Sequence, residues 1–488
     1  MTPPANILLI QTDQHRYDCI AAHGHPLIRT PHLDRLIREG VTFSHAFCAS
    51  PVCRPSRASL MTGVWPTRHG VICNENLEAT AVLRPGLPTW SEALAGWWVP
   101  GGGFRVAGLP RPYTLGYVGK WQVDQERDPT QFGFEDYVSN DGYKAWRKAQ
   151  GLGPAPRTNG FWGEVDAEIT PDQSRLAWGA SELIRLLEKA STGDRPFLLR
   201  WDTDEPHLPN IVPEPYASLY DPASIAPWPS FGDPLEGKPY IQRQQLRSWG
   251  IDGWTWEQWA PTVARYLGEV SLIDAQIGRI LDALDALGLA ENTLVVYTPD
   301  HGDLCGGHGM ADKHYVMYDD IARVPLILRW PGVIPVGQTC DAFVSSGIDL
   351  ATTFCDAAGA PRPETFVGQS LLPLIRARNP ELVQDSAASE RTNGRQDIFC
   401  MYFGNQFGLY SQRMVRDRRW KYVWNLTAED ELYDLEADPA EITNLAARPE
   451  AAEPLAHMRH RMLAWLEETR DPIVNQWTRR QLEQGAKV

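Results

Sequence analysis

The sequence is poor in cysteine, with eight in 488 residues, at positions 19, 48, 53, 73, 305, 340, 355 and 400, and no two form a CxxC pair. That argues against a zinc ribbon and against a disulfide-stapled scaffold. Most of the eight are expected to be small buried hydrophobes. The opening stretch "MTPPANILLIQTDQHR" lacks a cationic segment and a long apolar run, since the apolar stretch from Ile7 to Ile10 is strand-sized and stops at Gln11 and Asp13. No other window spans a bilayer, so the expectation is a cytoplasmic protein with no membrane partner. Basic residues are in deficit, 46 Lys and Arg against 61 Asp and Glu, for a net charge of −15. A duplex-binding surface needs clustered Lys and Arg, so nucleic acid is not an expected partner. Internal repeats and low-complexity tracts are lacking as well.

What the chain does have is enough apolar residue, 43%, to bury a large core, and a pattern of strands alternating with helices. "NILLIQTD" is a buried strand ending in Asp13. "TPHLDRLIREG" then offers Thr30 as N-cap, Pro31 in the first helical position and Gly40 as the stop. Leu176, Ala180, Leu183, Ile184 and Leu187 form one helical stripe before the strand "FLLRWD". Ile273, Ile277, Ile280, Leu281 and Leu284 form another before "NTLVVYTPD". Such units predict an α/β fold with a large, mostly parallel central sheet flanked by helices. The expected division is 1–375 for this domain and 376–488 for a smaller α+β domain with antiparallel strands and a helix around Ala451 to Glu468. Two Gly-, Pro- and Trp-rich stretches, 230–261 and 96–112, read as long loops or lids, with the tryptophans either packed or forming an aromatic rim for substrate.

In a doubly wound sheet, ligands bind beyond the carboxyl ends of the strands, and Asp13, Asp204 and Asp300 sit just past three such ends. Asp13 with Gln14, and Asp300 with His301, offer hard oxygen donors and one imidazole, a set suited to Ca²⁺, Mg²⁺ or Mn²⁺ rather than to a thiolate zinc site. Taken alone, each pair reads equally as a capping aspartate and a satisfied loop histidine.

Between them lies "SPVCRPSRASLMTG". The stretch "CRPSRASLMTG" resembles the signature of the type I, formylglycine-dependent sulfatases of the alkaline phosphatase superfamily. In that family the cysteine is oxidised after translation to formylglycine. The resemblance runs in order through "TDQ" at 12–14, the signature at 53–63, "GYVGKW" at 116–121, "PHLP" at 206–209, "TPDHGD" at 298–303, "DKHYVMYDDIARVPLIL" at 312–328 and the C-terminal "RDRRWKYVWN" and "ELYDLEADPAEITNLA". It implies hydrolysis of sulfate monoesters through a formylglycine made from Cys53 by a maturation enzyme, with a covalent sulfo-enzyme intermediate. It also implies one divalent metal ion, Ca²⁺ first with Mn²⁺ or Mg²⁺ as alternatives, held by Asp13, Gln14, Cys53, Asp300 and His301. Cys53, Arg57, Lys120, His207 and Lys313 match its catalytic positions. Lys120, His207, Lys313 and Asn74 match positions that contact the sulfate ester, small-molecule or saccharide, although an asparagine in a loop is equally a turn former.

Two departures from the family pattern stand out. Many sulfatases read "GKWH" where this chain reads "GKWQ", and Gln122 cannot act as a base at neutral pH; His69, His308 and His314 are the candidate replacements. The DQ and DH pairs replace the commoner DD and DN, a set that also resembles phosphonate monoester and phosphodiester hydrolases and choline sulfatases. A phosphonate monoester or phosphodiester hydrolase is therefore the first alternative, and a non-catalytic sulfate- or glycan-binding relative the second. Relatives with the DQ and DH set are often homo-oligomers, which makes the tail "RQLEQGAKV" a candidate subunit contact.

Overall fold

The computed structural model describes residues 5–74, 81–99, 103–104, 112–377, 394–404, 409–485 and 487. The predicted first strand is present as β1 (Asn6–Thr12), buried at all seven positions. Leu8 and Ile10 point into one core, whereas Ile7 and Leu9 point into the other. That period-two alternation with apolar residues on both sides is the mark of a strand covered on both faces. Each fully buried Leu or Ile side chain contributes about 1.5–3 kcal/mol, so β1 anchors both halves of the domain.

The main sheet also contains β2 (Val41–Phe47), β3 (Thr114–Gly119), β4 (Asp136–Ser139), β5 (Phe197–Asp202), β6 (Thr293–Pro299), β7 (Ile327–Arg329) and β8 (Gln338–Ser345). Their spatial order is β8-β2-β7-β6-β1-β5-β3-β4. β7 runs antiparallel to both β6 and β2, and the other neighbours are parallel. The sheet is thus mixed, as the short stretch "ILR" returns against its neighbours. Helices α1 (Pro31–Arg38), α3 (Arg175–Ser191) and α5 (Trp256–Ala286) cover one face; α2 (Cys53–Thr62) and α6 (Ser346–Ala358) cover the other.

The expected loop over 230–261 is corrected by the structure. It contains the helix α4 (Tyr240–Trp249) and the first turns of α5, whose start is set by a capping box of Thr255 and Gln258. Pro261 is accommodated early in α5, near the positions where backbone N–H groups have no intrahelical partner. The tryptophans are packing residues: Trp249 stacks on Phe161 at 4.5 Å, and Trp254 and Trp259 close around Trp162 at 4.8 and 5.7 Å. The second Trp- and Gly-rich stretch, 96–112, lies mostly outside the described residues.

A second, antiparallel sheet of β9 (Ile398–Gly404), β10 (Tyr410–Arg416), β11 (Trp420–Asn425) and β12 (Glu431–Asp434) packs under α7 (Ala452–Glu468) and α8 (Gln476–Gln484). Residues 378–393, just past the expected boundary, lie outside the described residues. Met401 N–H donates to Ala49 O at 3.0 Å, and Lys421 reaches Asp319 at 2.5 Å, so this sheet is bonded directly to the loops around the site. All eight cysteines are buried free thiols. No helix among the described residues is long and apolar enough to cross a membrane.

Candidate active site

The carboxyl ends of β1, β6, β5 and β3 meet the N-terminus of α2, and the strand ladders continue far enough to fix the first loop residues. Asp300 N–H donates to Thr12 O at 3.1 Å, Asp13 N–H to Glu205 O at 3.1 Å, and Lys120 N–H to Asp202 O at 2.9 Å. Gly119 has φ 104°, and a Cβ there would lie 1.9 Å from Asp202 O. Only glycine lets β3 turn so close to β5 and deliver Lys120.

Cys53 opens α2. Its N-cap, Val52, supplies no side-chain cap, and Pro55 falls in the first turn, where a missing N–H costs nothing. The positive end of the helix therefore faces the site. Asp13, Cys53, Asp300 and His301 bring donor atoms within 4.8 Å of one another, all buried. Cys53 Sγ lies 3.3 Å from His301 Nε2 and 3.6 Å from Asp13 Oδ1. In a matured protein an oxygen of formylglycine would stand where this sulfur is. Two carboxylates, one imidazole and such an oxygen suit a hard divalent cation, so the residues fit the metal that the sequence pattern implies.

Arg57 lies beneath that cluster with no exposed surface. Its Nε donates to Asp300 at 2.7 Å, one terminal nitrogen to Asp13 at 3.1 Å and the other to Asp202. Asp202 is also bonded by Arg200. Asp202 was missed by the sequence reading, although it is the last residue of "FLLRWD"; an acid ending an otherwise apolar buried strand was the available signal.

Lys120 Nζ donates to Asp13 Oδ2 at 2.7 Å and lies 3.6 Å from Asp204. Lys313 Nζ has three partners: Gln14 Oε1 at 2.6 Å, His207 Nε2 at 2.6 Å and Asp312 Oδ1 at 3.0 Å. With its three hydrogens committed, the ammonium is held in one position. His207 Nδ1 faces Leu208 O at 2.5 Å, which assigns the proton to Nδ1 and leaves Nε2 as acceptor from Lys313. Asn74 Oδ1 accepts Arg54 N–H at 3.0 Å, and its Nδ2 points to Cys53 Sγ at 3.8 Å. Every sequence-predicted site residue is thus gathered around Cys53. Asp312 and Asp303, inside quoted motifs but given no part, are the further acids that join them.

Electrostatics follow from this crowding. Burial raises the pKa of Asp13, but Lys120, His207, Arg57 and His301 outweigh it and hold the carboxyl well below its usual range. Burial and Asp13 raise the Cys53 thiol, yet Lys313, Lys120 and His301 bring it well below the ordinary thiol value. Burial opposes charge on His301, while Asp300 and Cys53 push it up to about 9. The site is built to stabilise negative charge at position 53.

The three candidate replacement bases separate clearly. His69 Nε2 meets Ser59 Oγ at 3.0 Å, its Nδ1 accepts Val71 N–H, and burial lowers it to about 3. His308 bonds Asp233 at 2.7 Å and stacks on Tyr318. Neither belongs to the cluster. His314 borders it, 3.4 Å from Asp312. Gln122 Oε1 is buried without a hydrogen-bond partner among the described residues.

A cavity of about 330 Å³ opens beside Lys120 and His207, lined also by Tyr143, Arg175, Asp204 and Leu208.

Comparison with known proteins agrees with this geometry. The Sulfatase family model matches residues 5–360, and the model for the C-terminal region of N-sulphoglucosamine sulphohydrolase matches 306–468. The arylsulfatase of Clostridium perfringens is 28% identical, covering 95% of this chain and 94% of that protein. The N-acetylglucosamine-6-O-sulfatase of Bacteroides thetaiotaomicron is 25% identical, covering 96% and 86%. The crystal structure of the phosphonate monoester hydrolase of Agrobacterium radiobacter superposes with a TM-score of 0.77 at 25% identity, covering 95% and 96%. With a family model matched over most of its length, on the strand ends and signature helix that build the cluster around Cys53, the chain belongs to the sulfatase family and is a sulfuric ester hydrolase.

Proposed function

We propose that the protein hydrolyses sulfate monoesters with a formylglycine made from Cys53 as nucleophile and a divalent metal ion held by Asp13, Asp300, His301, position 53 and Gln14. The observation that carries this reading is the convergence on Cys53 of two strand-end acid pairs and three cationic side chains, Arg57, Lys120 and Lys313, none of which a simple structural thiol requires. A hydrated formylglycine offers two hydroxyls on one carbon, one to take the sulfuryl group and one to expel it, and a divalent metal held by Asp13, Gln14, Asp300 and His301 would supply Lewis acidity that favours ionisation of the first.

The chain's own residues supply the rest. Lys120 and Lys313 neutralise the sulfuryl oxygens, with Lys313 held by Gln14 and Asp312 so that little reorganisation is needed. Arg57 bridges Asp13 and Asp300 and favours the charged form of each against their burial. When Lys313 turns from His207 Nε2 to the sulfuryl oxygens, that nitrogen takes up a proton in place of the Lys313 hydrogen bond, and His207, on the wall of the adjoining cavity, gives it to the departing alkoxide, which then leaves into that cavity. The cavity's volume suits a single sugar or aryl ring, and its mixed lining of charged and apolar side chains suits a saccharide sulfate ester.

A second reading, hydrolysis of phosphonate monoesters or phosphodiesters, is favoured by Gln122 at the place of the usual histidine and by the Asp13–Gln14 and Asp300–His301 pairs. Lys120 opposes it. The test is a competition of 4-nitrophenyl sulfate against 4-nitrophenyl phenylphosphonate and bis(4-nitrophenyl) phosphate, compared by kcat/KM, on protein produced with a maturation enzyme. Mass spectrometry of the Cys53 peptide is read in parallel. A larger kcat/KM for the phosphonate or diester would replace the sulfatase reading. Unmodified cysteine in fully active protein would remove the formylglycine.

A further inference from the structure

Asp303 has no part in the chemistry above, yet its carboxylate is buried against Gln14. Gln14 Nε2 donates to Asp303 Oδ2 at 2.5 Å, and Asp303 Oδ1 accepts the N–H of Cys305 at 2.7 Å. At the other end of the same amide, Gln14 Oε1 accepts from Lys313 Nζ at 2.6 Å. The backbone of Gln14 is pinned as well. Its N–H donates to Asp300 Oδ1 at 3.1 Å, its carbonyl accepts Tyr266 Oη–H at 2.8 Å, and its φ of 70° lies in the left-handed region that glutamine rarely adopts.

A glutamine amide can be turned over with almost no change of shape, so its neighbours alone decide whether oxygen or nitrogen faces Lys313. An ionised carboxylate only accepts and an ammonium only donates. The observed orientation satisfies both, and the reverse would set NH₂ against Lys313 and oxygen against Asp303 in a buried space. An aspartate at position 14, as in the commoner DD pair, has two equivalent oxygens and needs no such control. Glutamine brings an oxygen without its charge, and it must be oriented.

We propose that Asp303 is a positioning residue that fixes the Gln14 amide so that its carbonyl oxygen faces the metal-binding cluster and Lys313. The inference rests on the reading of Asp13, Cys53, Asp300 and His301 as a metal centre. It couples two positions almost three hundred residues apart: a glutamine at 14 requires an acceptor at 303.

The test uses the full chain, stripped of metal, as wild type, Asp303→Asn and the double variant Gln14→Glu with Asp303→Asn. Mn²⁺ and Ca²⁺ binding is measured by calorimetry, and metal-free thermal unfolding is recorded for each. In D303N the new side chain can keep the Cys305 N–H on its oxygen and present its own NH₂ to Gln14, which turns the glutamine over. The expected result is metal affinity weaker by about 10–100-fold, the range for loss of a group that orients a ligand, in a metal-free protein that still unfolds cooperatively, its midpoint lowered by the new contact of the turned NH₂ with Lys313. In the double variant the side chain at position 14 carries only oxygens, the amide introduced at position 303 donates to one of them, and the summed charge is that of the wild type. Its affinity is expected to recover most of the loss. Wild-type affinity in D303N, or a double variant as weak as the single one, overturns the positioning role. Wild-type protein that binds neither ion overturns the metal reading, and this inference with it.

Discussion

Replacing Arg57 with glutamine tests how the site holds itself together. Arg57 bonds three carboxylates, Asp13, Asp202 and Asp300, and all four side chains are without exposed surface or nearly so. Within direct reach, these three acids are balanced by Arg57, by Arg200 on Asp202, by Lys120 on Asp13 and, in the metal-free protein, by the His301 imidazolium 3.6 Å from Asp300. Arg57→Gln removes the cation that bonds all three buried carboxylates and leaves each of them with a single cationic neighbour of its own. Removing one partner from a buried ion cluster costs about 3–5 kcal/mol, a large part of the roughly 5–15 kcal/mol that separates a typical domain from its unfolded state. Arg57→Lys keeps the charge, but a compact ammonium cannot span three separate acids as a guanidinium fork does, so an intermediate loss is expected.

The same reasoning predicts a dependence on metal. A divalent cation between Asp13 and Asp300 would replace the lost positive charge, so the R57Q penalty should shrink when Mn²⁺ or Ca²⁺ is added. The assay is urea unfolding followed by tryptophan fluorescence, for which the chain's 19 tryptophans give ample signal, with and without added metal. If metal-free R57Q unfolds within about 0.5 kcal/mol of wild type, the range of an inert surface change, then Arg57 does not balance these acids and the electrostatic account of the site is wrong.

Three further outcomes follow. His207→Gln should lower kcat/KM by about 10²–10⁴-fold on an alkyl sulfate and far less on 4-nitrophenyl sulfate, whose leaving group needs no proton; an equal loss on both esters would deny His207 that role. Burial raises Asp274 from 3.8 to about 7, against the Leu33 and His32 N–H groups it accepts at the start of α1. A carboxyl whose folded pKa is raised favours the folded state at low pH and loses that contribution as pH rises from about 4 to about 7, here by at most about 4 kcal/mol. Asp274→Asn should therefore flatten the pH dependence of urea stability across that window, and an unchanged slope would contradict the shift. Chelation should lower the midpoint of thermal unfolding, and re-addition at a hundred times Kd should restore about 2.7 kcal/mol; the ion giving the largest shift identifies the preferred metal, and no shift with any of Ca²⁺, Mn²⁺ and Mg²⁺ argues against a resident cation.

How much of this could be read from the chain depended on the length scale of the signal. The βα units around "NILLIQTD", "FLLRWD" and "NTLVVYTPD" were legible because burial on both faces writes an unbroken apolar run into the strand. The antiparallel strand β7 was not legible, since three residues carry no periodicity and only its partners on both sides make it a strand. The 230–261 stretch misled because Gly, Pro and Trp imitate loop composition. The capping box at Thr255 and Gln258 was the local sign of a helix, and the tryptophans are there to pack against Trp162 and Phe161. In the site, Asp13, Cys53, Asp300 and His301 were found because they sit in short motifs, whereas the tie of Arg57 to Asp202 joins positions 145 residues apart with no motif around the acid.

The glutamine at 122 looked like a lost base in the sequence, and the geometry recasts it. Of the histidines that could replace one, His69 has both ring nitrogens engaged away from Cys53 and His308 is bound to Asp233, so no imidazole has migrated into the vacated role from those positions. His301 is within 3.3 Å of Cys53, but as a ligand of the proposed metal its nitrogen would have no lone pair left for a proton. His207 is the imidazole that bears on Cys53 without belonging to the metal-binding set. A group that gives its proton to a departing alkoxide is left as a free base, correctly placed for the opposite transfer in the next half of the cycle. On the proposed mechanism one imidazole, His207, would then carry both transfers, and the chain would need no base at position 122.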